Sequence, residues 1–331
     1  MNRLIQLIFS LFLAFTAAAA VIAKGPAYTD PNNTDADFPF QGEYVGAVKE
    51  DGIKVGVQVI ALGGGKFQSV AYVGGLPGDG WDKEQTYKAE GELKDGELVI
   101  MKGDAWGKIK DGVISVGTKE VPDFARFERV YRSSPTEGAK PPAGAIILFD
   151  GKSADAFEKG KMDEHGLLMP GCTSVQKFGS FHLHIEFRLP YQPEDRGQAR
   201  GNSGVYMQGR YEVQMLDSFG LEGKNNECGG LYELRDPDQN MCFPPLAWQT
   251  YDIDYTAAEY NTTKSDDDKP IAPPRITVQH NGVVIHNNVA LPTDRGTRSS
   301  PVKPGPEPGP LYLQDHGSPV RYRNIWLVET K

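Results

Sequence analysis

The stretch that decides the fold runs from Gly201 to Asp217: Gly-Asn-Ser-Gly-Val-Tyr-Met-Gln-Gly-Arg-Tyr-Glu-Val-Gln-Met-Leu-Asp. It reads as two alternating strands joined at Gly209-Arg210, a two-residue loop with glycine first, as a type II′ turn requires. That register sets Met207 opposite Glu212 and Val205 opposite Gln214, with Tyr206 opposite Val213 and Gly204 opposite Met215. One face then carries Tyr206, Val213 and Met215 and suits a core. The other carries Glu212 and Gln214, two residues apart and so pointing the same way. Leu216 breaks the alternation, and a bulge there swings Asp217 onto the polar face. A row of Glu, Gln and Asp on one sheet face is where a substrate is expected.

The flanking sequence extends the same pattern. In Phe181-His-Leu-His-Ile-Glu-Phe-Arg-Leu, the residues His182, His184, Glu186 and Arg188 alternate with apolar ones, giving one wet and one buried face. Further strands are expected at Ile146–Phe149, Trp248–Tyr255, Arg275–His280, Val283–His286, Leu311–Gln314 and Tyr322–Val328. Between them lie a long loop from Ser218 to Pro245 and two hydrophilic insertions, Thr262–Pro274 and Pro292–Pro310. No internal repeat and no amphipathic helix stands out. Two packed antiparallel sheets of the jelly-roll kind are the economical architecture for residues 145–331.

Upstream, residues 41–132 form a separate small β domain. Turn signals at Asp51-Gly52, Gly63-Gly64-Gly65, Asp95-Gly96 and Asp111-Gly112 punctuate alternating segments, predicting an antiparallel meander closed into a barrel or covered on one face. It contains no catalytic cluster and no histidine. Trp81, Tyr87 and Trp106 are core residues on one reading and glycan-stacking residues on the other. Ser133–Gly144 is a linker by composition, and residues 24–40 read as a flexible leader. Arg3, the apolar run Leu4–Phe15 and small residues up to Ala23 make residues 1–23 a signal peptide, predicting an exported, periplasmic or extracellular protein. A retained N-terminal anchor is the alternative. No later apolar run is long enough to span a bilayer.

The 38 glycines and 24 prolines of the 331 residues favour short strands and turns over helices. The net charge of −9 argues against a nucleic-acid partner, which needs clustered Lys and Arg. Of three cysteines, Cys228 and Cys242 are disulfide candidates within one loop-like region; the alternative is three buried free thiols. No zinc-type spacing occurs. Asp266-Asp267-Asp268 reads as a solvated loop, with calcium as the other use of such a run.

Taken in order, five motifs bring a family into view: Leu148-Phe-Asp-Gly-Lys-Ser, Gly201-Asn-Ser-Gly-Val-Tyr, Tyr211-Glu-Val-Gln-Met-Leu-Asp-Ser, Trp248-Gln-Thr-Tyr-Asp-Ile, and Leu313-Gln-Asp-His-Gly with Arg321-Tyr-Arg-Asn-Ile. Together they resemble the 3-keto-disaccharide hydrolase domain family over about residues 145–331. The chain departs from it where Ala156-Phe157 stands in place of a usual tryptophan, and in the length of the Cys228–Cys242 loop. The resemblance implies a concanavalin A-like lectin/glucanase fold and cleavage of glycosides already oxidised at C3.

A C3 ketone acidifies the C2 hydrogen, so a base removes it, the aglycone leaves C1, and water adds. Such chemistry needs a base, help for the enolate, and an acid for the leaving oxygen. On this reading Glu212 is the base, Asp217 a second carboxylate or metal ligand, and His316 the acid. Arg321 or Arg210 faces the enolate, Asn202, Ser203 and Gln214 hold sugar hydroxyls, and Trp248 or Tyr206 stacks on a ring. No cofactor is fixed by the motifs; a divalent metal is one form of enolate help. The expected partner is an oligosaccharide or glycoside. Two other readings share the fold: a laminarinase-like retaining glycosidase using Glu212 and Asp217, and a non-catalytic lectin-like module.

Overall fold

The computed structural model describes residues 25–261 and 269–330. The signal-peptide residues 1–23 and the acidic run Asp266–Asp268 lie outside the described residues. The first body is a closed eight-stranded antiparallel barrel in which each strand pairs with the next and the first with the last. Its strands are β1 (Gly42–Val48), β2 (Lys54–Ala61), β3 (Lys66–Val73), β4 (Thr86–Lys94), β5 (Glu97–Lys102), β6 (Ala105–Lys110), β7 (Val113–Thr118) and β8 (Ala125–Val130). Closure removes every sheet edge and buries Tyr44, Val59, Phe67, Leu98, Ile109, Ile114 and Phe127 inside. The Asp95-Gly96 and Asp111-Gly112 turns place both central residues at positive φ, as tight hairpins of primed type demand.

The second body is a β-sandwich built from β9 (Ile146–Phe149), β10 (Phe157–Glu158), β11 (Cys172–Phe178), β12 (Ser180–Arg188), β13 (Ser203–Met207), β14 (Tyr211–Met215), β15 (Trp248–Thr256), β16 (Arg275–His280), β17 (Val283–Ala290), β18 (Gly309–Leu313) and β19 (Arg321–Thr330). A six-stranded sheet runs β17-β16-β15-β12-β19-β9 and a five-stranded sheet β10-β11-β18-β13-β14. The chain is therefore all-β, with the barrel preceding the sandwich. On β12 the alternation works as read: Phe181, Leu183, Ile185 and Phe187 enter the core.

Two segments assigned to loose chain are docked. Residues 25–40 are not a flexible leader here: Tyr28 and Tyr191 exchange two backbone hydrogen bonds (2.9 and 3.0 Å), the Tyr191 hydroxyl donates to Asp35, and Phe38 and Phe40 pack on the barrel core. Apolar residues among the Pro, Asn and Asp account for this, since each finds a hydrophobic surface to cover. The 133–144 segment is a strap across the outer face of the six-stranded sheet. Thr136 donates to Asp252 (2.6 Å), the Gly138 N–H to Glu186 (2.6 Å), and Arg323 bridges Glu137 and Glu186. Asn324 and Trp326 donate to the Ala139 carbonyl. Burial pushes the Glu186 carboxyl up, yet hydrogen bonds from His184, Asn324, Arg323 and Gly138 outweigh it and hold the pKa at about 2.

The bodies share a seam. Phe219 of the sandwich packs on Ile60, Val70 and Tyr72 of the barrel, Tyr191 and Leu246 join the barrel core, and Arg132 binds Glu43 while lying over Phe243. Trp81 packs edge-on against Tyr72 (5.0 Å between ring centres), the core alternative for that residue.

Candidate active site

The β13–β14 hairpin turns through three residues, not two. Gln208 and Gly209 both take positive φ, and the Arg210 N–H donates to the Met207 carbonyl, closing a primed turn with Arg210 as the extra residue. The pairing becomes Met207–Tyr211, Tyr206–Glu212, Val205–Val213, Gly204–Gln214 and Ser203–Met215. The expected register is thus corrected by one. Val205, Met207, Val213 and Met215 face the core, whereas Tyr206 moves to the polar face beside Glu212.

On that outer face Glu212 is 1% exposed and accepts a hydrogen bond from the Tyr206 hydroxyl on Oε2 at 2.7 Å. The side-chain amide of Gln314, just past β18, donates to the Tyr206 oxygen at 3.0 Å, and the Tyr206 and Tyr312 rings lie 5.2 Å apart. Glu212 Oε1 lies over Gly204, where a Cβ would approach it to 2.0 Å. Only glycine permits that carboxylate position. Burial pushes the Glu212 pKa up to about 8, against the lowering effect of the Tyr206 hydrogen bond.

The two long loops frame this face. The 218–245 loop zips onto the edge of β14 through Gly229, Gly230 and Tyr232. Thr297 of the 292–310 insertion accepts the Glu212 N–H at 3.0 Å. Gln214 donates to Gln198 Oε1 at 3.0 Å, as does Asn202. Asn202 Oδ1 is buried with no partner among the described residues.

The expected site residues therefore divide. Glu212, Gln214, Asn202 and Tyr206 are brought together, with Tyr206 as a hydrogen-bond partner of the carboxylate, its buried ring offering no stacking surface. His316 is exposed in the turn after β18, two residues beyond Gln314. Asp217 is not a carboxylate beside Glu212 but is bound to Arg200 at 2.6 Å.

Ser203 shares the core-facing parity and bonds the Gln314 carbonyl and the Tyr322 hydroxyl, so it is not at hand for a sugar. Arg210 spends its donors on Lys303, Gln208 and Glu307 and pins the insertion. Arg321 and Trp248 lie on the other sheet: Arg321 pairs with Asp163 (2.6 Å), and Trp248 stacks beneath Arg323 (3.9 Å to the ring centre). Their alternation was legible, but not which sheet they join.

Sequence reasoning missed Gln314, Tyr312, Gln198 and Thr297. The signal for the first two lay in Leu311–Gln314, whose polar members share one face.

Cys228 and Cys242 are free, buried thiols, as is Cys172, so the candidate disulfide is not formed. Cys228 instead contacts the Tyr251 hydroxyl at 3.3 Å. No group of three or more His, Cys, Asp or Glu able to hold a metal occurs among the described residues, and the neighbours of Glu212 are phenols, amides and a hydroxyl, a poor donor set for a divalent ion.

The 3-keto-alpha-glucoside-1,2-lyase-like domain model matches residues 144–328, more than half of the chain. Among solved structures, a candidate glycosyl hydrolase from Parabacteroides distasonis is 33% identical with a TM-score of 0.51, over 57% of this chain and 85% of that one. A second candidate glycosyl hydrolase from the same organism is 18% identical, with a TM-score of 0.42 over 57% of this chain and 94% of that one. No curated protein matches the chain.

Proposed function

We propose, from the premise that this chain belongs to the 3-keto-alpha-glucoside-1,2-lyase-like family and is a carbohydrate-active protein of glycosyl-hydrolase type, that it cleaves glycosides whose C3 carries a ketone. Glu212 takes the C2 proton. The C2–H electron pair forms the enolate, which collapses with breakage of the C1–O bond. The former C2–H pair becomes the C1–C2 double bond, and the aglycone oxygen leaves with the C1–O bonding pair and is protonated. Water then adds across the C1–C2 double bond, hydroxyl to C1 and hydrogen to C2.

The observation that carries this reading is the buried chain Gln314→Tyr206→Glu212. A carboxylate with a pKa near 8 is a far stronger base when ionised than an exposed one, and so is matched to a carbon acid. Tyr206 positions Oε2, and Oε1, packed over Gly204, is assigned to meet C2–H. Asn202 and Gln214 supply hydroxyl contacts. His316, exposed in the turn that follows β18, is assigned the leaving-group proton.

A retaining glycosidase needs a second carboxyl about 5–5.5 Å away, and the nearest candidate on this strand, Asp217, is engaged by Arg200. Turnover of a 3-keto-glucoside by wild type and its loss in Glu212→Gln tests the proposal. Sugar binding without turnover identifies a lectin-like face instead. Export belongs to the same proposal, resting on the Arg3 and Leu4–Phe15 pattern; the N-terminal sequence of the protein recovered from its native host tests it.

A further inference from the structure

Removal of the C2 proton puts negative charge on the C3 oxygen, and a donor aimed at that oxygen lowers the barrier. Arg210 commits its donors to Lys303, Gln208 and Glu307, and Arg321 pairs with Asp163 on the other sheet, so neither serves. The C3 oxygen is bonded to the carbon next to C2. Its donor must therefore stand immediately beside Glu212.

The register of the outer face fixes the neighbours. Val213 bridges Leu231 across the β14 edge, and the Tyr232 N–H donates to the Glu212 carbonyl at 3.2 Å. Leu231 enters the core with Val213, so by strand alternation Tyr232 shares the outer face with Glu212. On the other side Glu212 faces Tyr206, and Tyr206 faces Tyr312. The order across the face is thus Tyr232, Glu212, Tyr206, Tyr312. Neighbouring strands lie about 4.8 Å apart, which puts the Tyr232 backbone about 5 Å from that of Glu212 and the Tyr312 backbone about 10 Å away. Tyr206 already donates to the Glu212 carboxylate. Of the three phenols, Tyr232 is the one both adjacent and uncommitted.

Its setting suits a donor. Tyr232 is partly exposed where Glu212 is 1% exposed, and its hydroxyl has no hydrogen-bond partner among the described residues. Burial, with the Glu233 and Glu212 carboxylates acting against Arg298, holds the phenol above its usual range. It therefore keeps its proton at the pH near 8 where Glu212 ionises. Arg298 also pairs with Glu233 at 2.8 Å, which ties the Tyr232 turn to the insertion whose Thr297 accepts the Glu212 N–H.

We propose that Tyr232 is a further catalytic residue, whose O–H donates to the C3 oxygen while Glu212 takes the C2 proton. The C2–H pair becomes the C2–C3 double bond, and the carbonyl pair moves onto the C3 oxygen, where the Tyr232 hydrogen bond meets it. The phenol keeps its proton. When the enolate collapses, that pair returns to the C3–O bond as the C1–O bond breaks. The inference rests on the Glu212 reading and supplies the stabilisation that it needs.

The test separates enolate formation from cleavage. Exchange of the C2 hydrogen of 1,5-anhydro-3-keto-glucitol, which carries the ketone and no aglycone, is followed by NMR in D2O for wild type, Tyr232→Phe and Glu212→Gln. Tyr232→Phe removes only a hydroxyl that bonds nothing in the protein, so its Tm should match wild type. Its exchange should be slower by about 100-fold or more, as should its kcat on a 3-keto-glucoside, with KM changed less than about threefold. Exchange at the wild-type rate in Tyr232→Phe, abolished in Glu212→Gln, overturns the donor and leaves the base standing. A loss confined to KM also overturns it. Exchange that persists in Glu212→Gln contradicts the base assignment instead, and slowing in Tyr232→Phe alone would still support the donor. A wild type that neither exchanges nor cleaves overturns both.

Discussion

Tyr206 and Glu212 face each other across the β13–β14 ladder, and the phenol donates to the carboxylate at 2.7 Å with both side chains withdrawn from solvent. Replacing Tyr206 by Phe removes that donor and the end point of the Gln314 bond. A hydrogen bond to a charged group is worth about 1.5–3 kcal/mol, so kcat should fall about 10- to 100-fold. Because the bond favours the ionised carboxylate, its loss should also move the pH–rate midpoint to more alkaline pH. A pH–rate profile of Tyr206→Phe reads both effects; an unmoved midpoint contradicts the positioning role.

The wild-type profile has its own sign. Glu212 acts as a base only when ionised, so kcat/KM for a 3-keto-glucoside should rise with pH through about 8. A rate that falls across that range would make Glu212 an acid.

Stability should run the opposite way. The folded pKa lies above the unfolded value of about 4.3, so the contribution of the protonated carboxyl is complete below that value. It is lost as pH rises through about 8. Glu212→Gln, which mimics the protonated form, should therefore lose less Tm than wild type between pH 5 and pH 9. Parallel melting curves would contradict the burial argument.

Gly204→Ala puts a methyl group 2.0 Å from Glu212 Oε1 and must displace the carboxylate or the strand. Overpacking of this kind costs about 1–3 kcal/mol. We expect that loss in denaturant melts, together with loss of turnover. Pairing the change with Glu212→Ala should restore the stability but not the activity.

The strap supplies an independent check away from the site. Glu186→Ala leaves the Gly138 N–H without its acceptor, leaves Arg323 with Glu137 alone and takes one acceptor from Asn324, and should cost about 2–4 kcal/mol, discounted because Arg323 is 35% exposed. Residues 133–144 should then become a preferred proteolytic site. In wild type the folded pKa of Glu186 lies below the unfolded one. Its contribution is present above about 4.3 and fades as pH falls through about 2.

The alternation of β12 and the Asp-Gly hairpins of the barrel could be read because period and turn chemistry are local properties. The β13–β14 register could not. Gly209-Arg210 and Gln208-Gly209 are both acceptable turn centres, and a shift of one residue moved Tyr206 from the core to the site. Glu212 and Gln214 survived that shift because they sit on one strand and their parity relative to one another is unchanged; Asn202, of the same parity as Tyr206, changed face with it. Arg321, Trp248 and Ser203 did not join them, since sheet membership and facing are decided by long-range pairing that no short stretch encodes. Asp217 was placed on the right strand end, and its partner Arg200 reaches it from another loop.

The role proposed for Glu212, a base for glycosides carrying a C3 ketone, is open to direct measurement. Product formation should be measured from a 3-keto-glucoside and from its unoxidised parent, with wild type and Glu212→Gln. Turnover of the keto substrate alone is expected, with its loss in Glu212→Gln. Turnover of the unoxidised parent, or undiminished turnover of the keto substrate in Glu212→Gln, would contradict it.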